Sequence, residues 1–161
     1  MNIRLRPALA CGVAICLAGT LGAAASQTAP DSGLTGEPQL LRVYDAIFDA
    51  RFEAVPALLM RTCPPAPSEA CQVLDAVALW WQIELDPASQ ARDGQFQSKA
   101  DAAIAAADAW TKREPERAEA WFYLGGAYGA RAQWRVLRGQ RLAAARDGKR
   151  IKEAQIGRAH V

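Results

Sequence analysis

The chain has 161 residues and a formal net charge of +2. Apart from Arg4, Arg6 and Arg158 it carries 16 basic against 17 acidic residues, so no strong field points to nucleic acid. Alanine is abundant and no segment alternates apolar and polar residues with period two, which excludes a sheet and predicts one all-α domain.

In chain order, residues 1–25 read as a secretory signal peptide. Arg4 and Arg6 precede the apolar "PALACGVAICLAGTLGAAA", which ends in small residues suited to cleavage after Ala25. The rival reading is an uncleaved anchor, since the stretch approaches bilayer-spanning length. Cys11 comes too early for a lipoprotein, and Cys16 follows the bulky Ile15. The expected destination is therefore the periplasm or another part of the cell envelope. Residues 26–37 are polar with glycine and proline, and are expected to be a flexible leader.

Helices are predicted from Pro38 on. "PQLLRVYDAIFDA" places Leu41, Tyr44 and Phe48 on one face, with Pro38 tolerated in the first turn. "RFEAVPALLMRT" is its short partner, in which Pro56 is either accommodated or produces a kink. The connector "RTCPPAPSEACQ" holds Cys63 and Cys71. In an exported chain this pair is expected to form a disulfide; a metal site would need further ligands that the sequence does not supply. "SEACQVLDAVALWWQIEL" spaces Ala70, Leu74, Val77 and Trp81 at helical intervals, with Ser68 as the expected cap. After the loop "DPASQARDG", a further helix lines up Phe96, Ala100, Ala103, Ala107 and Trp110, with Asp101 and Asp108 on a second stripe.

The next segment, "AEAWFYLGGAY", sets Trp121, Leu124, Gly125 and Tyr128 at the spacing W-x-x-L-G-x-x-Y. This resembles the opening signature of a tetratricopeptide repeat, a 34-residue helix–turn–helix unit. The resemblance is strong over residues 110–145 and weak before that. It implies antiparallel hairpins stacked as a TPR-like α-solenoid over residues 38–155. Gly125 then removes a side chain where the second helix crosses, while Trp121, Leu124 and Tyr128 fill the seam. "GGAYG" follows no strand and is not a phosphate loop. The chain departs from the family after Tyr128: Gly139 is the first available turn glycine. The first helix is therefore expected to run from Ala118 to Leu137, the return helix from about Gln140, and Ala144 is expected as its small packing residue.

By the same resemblance, each repeat's first helix lines a groove for peptides or partner proteins. At about 100° per residue, Glu119, Phe122, Gly126, Gly129 and Gln133 form the stripe that would face it. Eight basic residues between Arg131 and Lys152 stand against the single acid Asp147. Arg131, Arg135 and Arg138 point away from that stripe, so a membrane or anion contact is not expected from this segment. Glu84, Asp86, Glu114, Glu116 and Glu119 sit around loops and helix starts, where negative charge suits the helix dipole.

The last six residues, "IGRAHV", break the helical pattern and hold the only histidine, His160. They resemble the translation of a sequencing adapter, ATC GGA AGA GCA CAC GTC. On that reading 156–161 is an artefact tail and the chain a fragment. The functional expectation is an exported TPR-like protein-binding or scaffold module, with no catalysis in this fragment, no cofactor and no metal. The alternatives are the docking module of an envelope enzyme whose catalytic domain lies further on, and a membrane-surface protein that uses the basic segment.

Overall fold

The computed structural model describes residues 33–159. The expected signal peptide, the first residues of the leader and His160 lie outside the described residues. Six helices form: α1 (Glu37–Phe48), α2 (Val55–Thr62, entered through a 3-10 turn Phe52–Ala54), α3 (Ser68–Leu85), α4 (Asp93–Arg113), α5 (Ala118–Leu137) and α6 (Arg141–Ala159). They pack as sequential antiparallel pairs, and α5 meets α3 as well as α4 and α6.

Local chemistry explains the boundaries. Pro38 and Pro56 both fall in first turns, where no intrahelical N–H bond is lost, so α2 starts at its proline and does not kink there. Gly139 adopts φ +72° and lets the chain turn from α5 into α6, as the sequence predicts. α4 carries Asp93 in its first turn and Lys112 and Arg113 in its last, which suits the helix dipole at both ends. Ser68 differs from expectation. It is the first helical residue, its hydroxyl donates to Glu69, and Pro67 holds the cap position.

The core forms from one stripe of each helix. Phe96, Ala100, Ala103, Ala107 and Trp110 are all buried, and the alanines let α3 and α5 approach α4 closely. Phe96 sits between Trp80 and Trp134, at ring-centroid distances of 6.0 and 5.7 Å. On α1 the buried residues are Leu40, Val43, Ala46 and Ile47, whereas Leu41 and Phe48 of the stripe noted in the sequence are exposed. Both stripes have helical spacing, so periodicity alone does not separate them.

The disulfide Cys63–Cys71 closes the connector between α2 and α3, with Cα atoms 6.4 Å apart. Inside it, Ala66 packs against Gly36, the residue before α1. A Cβ at Gly36 would come within 2.9 Å of the Ala66 nitrogen, and φ is +76°, so only glycine fits. Further into the domain, within the segment expected to be flexible, Thr35 is tied to α5. Its N–H donates to Glu119 Oε1 (2.8 Å) and its hydroxyl to Oε2 (3.1 Å). The stapled loop and the leader thereby hold α1 onto the later helices.

α6 continues without a break through residues 156–159. A Cβ at Gly157 would fall 2.6 Å from the Trp121 indole, so this glycine allows the closest approach of α6 to the ring.

Replacing Cys63 and Cys71 together by serine is expected to cost about 2–3 kcal/mol of stability, the loop-closure estimate for so short a ring. Urea unfolding of oxidised and variant protein measures it; equal midpoints would mean that the loop stays ordered without the bridge.

Candidate functional site

The motif residues of α5 divide between two sides of the helix. Leu124 is buried, Trp121 and Tyr128 are partly so, and the three line a groove of about 940 Å³ between α4 and α6. The Trp121 indole N–H donates to the Pro115 carbonyl at 2.7 Å, fixing the α4–α5 corner. A Cβ at Gly125 would lie 3.7 Å from the Ala154 Cβ, ordinary contact distance. The position therefore needs a small residue but not glycine itself. Its partner on α6 is Ala154 and not Ala144, because α6 runs antiparallel from the Gly139 turn and Ala144 lies nearer that turn. Ala144 is buried near the turn, beside Trp80.

The charged residues around the groove are paired within the chain. Arg131 donates to Asp101 (2.5 Å) and to the buried Asp147 (2.7 Å), and its guanidinium lies 5.2 Å from the Tyr128 ring centre. Arg135 donates to Asp147 at 2.6 Å. Lys112 pairs with Asp108 and Arg150 with Glu153. Arg138 bonds both carboxylate oxygens of Asp93 (2.7 and 2.9 Å) and the carbonyls of Pro87 and Ser89, latching the end of α5 to the α3–α4 loop. The hydrogen bond from Arg138, working against partial desolvation and helped by the Trp134 N–H, holds the Asp93 carboxyl below its ordinary pKa. Three arginines of the basic run are therefore structural ties. Glu114 also has an internal partner, Arg117, whose guanidinium lies over the Trp110 ring.

On the opposite side, α1, α3 and α5 run the same way and share an open face. The approach to α1 meets the starts of α3 and α5 at Gly36–Ala66 and Thr35–Glu119, and the later turns of α1 and α3 meet at Phe48–Trp81, whose rings contact edge to face at 5.5 Å. Phe48 and Trp81 are exposed at that end, where burial pushes the neighbouring Tyr44 phenol up, and Phe122 is exposed near the start of α5, where it lines a small groove with Ile151 and Gln155 of α6. Of the stripe predicted to line a groove, Phe122, Gly126 and Gln133 are exposed and Gly129 is half-buried. A Cβ at Gly126 would just touch Val73 at 4.0 Å, and one at Gly129 would meet nothing. Glu119 does not belong to this open surface: its carboxylate is fully buried, held by Thr35 and by Arg117 at 2.6 Å. The sequence placed Glu119 by helical angle alone, and the leader that covers it carries no periodic signal.

Phe48 and Trp81 were legible as apolar positions but not as exposed ones. Tyr123, which the sequence did not single out, is buried against Trp110 with its hydroxyl unpartnered, and burial raises its pKa. Among the described residues, no group of three or more His, Cys, Asp or Glu is placed to hold a metal ion, and no helix is long and apolar enough to cross a membrane. The disulfide is consistent with an oxidising compartment. No family model, curated protein or solved structure matches the chain.

Two outcomes are expected. Gly125→Ala should be neutral or stabilising by up to about 1 kcal/mol, because alanine fits and favours helix, whereas Gly125→Leu should destabilise; thermal unfolding compares them. Asp93→Asn should cost about 1–3 kcal/mol at neutral pH. Because the folded carboxyl has the lower pKa, its contribution is present above the unfolded value of about 3.9 and is lost as pH falls through the folded value. The gap between wild type and Asp93→Asn should therefore close in acid. Urea curves that stay parallel across the pH series would rule out this account of the latch.

Proposed function

We propose that this is an exported helical-repeat module of the tetratricopeptide type that binds a partner protein through the shared face of α1, α3 and α5, without catalysis of its own. The observation that carries the reading is the exposure of large aromatics at two places along these helices, Phe48 with Trp81, and Phe122 beside the bare backbone at Gly126 and Gly129. Exposed aromatic side chains and accessible backbone suit an apolar segment of another chain laid along these helices. Gly129 adds to this. It costs the helix ~1 kcal/mol relative to alanine, yet no neighbouring side chain needs the space. Support for the repeat reading comes from the W-x-x-L-G-x-x-Y residues, from the Gly125–Ala154 contact, and from α5 meeting α3 as successive first helices of such repeats would.

The test is selection of short peptides against the purified protein, followed by calorimetric titration of face variants. Phe122→Ala should weaken binding about 10- to 100-fold, as expected for an aromatic anchor, and Gln133→Ala should weaken it less. Met60→Ala, exposed on α2, should bind as wild type does, with circular dichroism and melting temperature unchanged in all three. Peptides that bind Phe122→Ala and Gln133→Ala as tightly as wild type would place recognition elsewhere.

A further inference from the structure

A second surface adjoins the aromatic face, with Gln133 at the border of the two. At the end of the molecule where α3 and α5 finish and α6 begins, an open hollow of about 590 Å³ has Trp80 and Ala144 at its base and Val136 and Leu137 along α5. Val136 is 63% exposed, and Leu142, one turn before Ala145 of the same hollow, is 80% exposed. A collection of large apolar side chains this open, rimmed by charge, marks a surface that gains by being covered.

The rim suggests what covers it. Glu84 of α3 and Arg141 of α6 flank the hollow, and neither makes an ion pair among the described residues. A strongly acidic or strongly basic partner would satisfy one of the two and be repelled by the other. A second copy of this chain satisfies both: across a two-fold axis each patch meets its own reverse, so each Glu84 faces the partner's Arg141. We propose that the hollow is the contact of an isologous homodimer, closed by Val136, Leu137 and Leu142 of both copies and fixed in register by two Glu84–Arg141 pairs. The inference does not rest on peptide binding at the aromatic face.

Sedimentation velocity on protein purified after expression of the full chain tests it, at concentrations up to roughly 200 µM and low salt. A concentration-dependent dimer is expected. Glu84→Arg and Arg141→Glu should each weaken it about tenfold or more, and the double swap should recover most of the loss, an outcome that a merely damaged surface would not give. Leu142→Glu should also weaken it, whereas Phe122→Ala should leave it intact. Circular dichroism checks that each variant is folded. A chain that stays monomeric throughout overturns the proposal, as does a dimer indifferent to the two charge swaps. Binding of a selected peptide in the hollow of a monomeric chain would assign the surface to another occupant and equally overturn it.

Discussion

α5 lies in contact with three other helices, and the fold depends on how closely they approach it. Ala120, Ala127 and Ala130 are buried along this helix, and Gly125 faces Ala154 of α6 with room for no more than a methyl group. A side chain larger than alanine at position 125 would lift α6 and uncover Leu124 and Trp121 together. With small residues at these crossings, the large ones pack in the spaces between: Trp110 on Tyr123, and Phe96 between Trp80 and Trp134. Dispersion and burial are then gained along the whole helix instead of at isolated knobs.

Close packing fixes where helices touch, and polar ties fix where they end. Arg138 secures the α3–α4 loop, Asp147 holds two arginines of α5 to α6, and Glu119 fastens the leader through Thr35. Removing Asp147 would leave Arg135 without a carboxylate and Arg131 with Asp101 alone, a costly arrangement for partly buried guanidinium groups. With their charges used in this way, these groups are not free for an outside anion. What remains open is chemically different: exposed aromatics on α1, α3 and α5, and an apolar hollow whose two rim charges have no partner among the described residues.

Much of this architecture was legible beforehand. Pro38, Pro56, Pro115 and Gly139 punctuate the helices where their backbone restrictions or freedom require it, and the Phe96–Trp110 stripe is buried as its spacing predicts. The paired cysteines were readable for a similar reason, since a short connector holds them close whatever the rest of the chain does. Of the stripe that helical angle puts on one side of α5, Phe122, Gly126 and Gln133 are exposed, Gly129 is half-buried and Glu119 is buried.

What the sequence determined by itself was therefore local: helix content, most boundaries, the turn at Gly139 and the staple. These follow from interactions between residues a few positions apart. Only the tertiary structure decided which apolar stripe of α1 is inside, that Glu119 is buried beneath the leader, that Ala154 and not Ala144 meets Gly125, and that the arginines of α5 tie to Asp93, Asp101 and Asp147. Each of these depends on a partner distant in sequence, or on how two helices slide past one another. Helical periodicity carries no information about either.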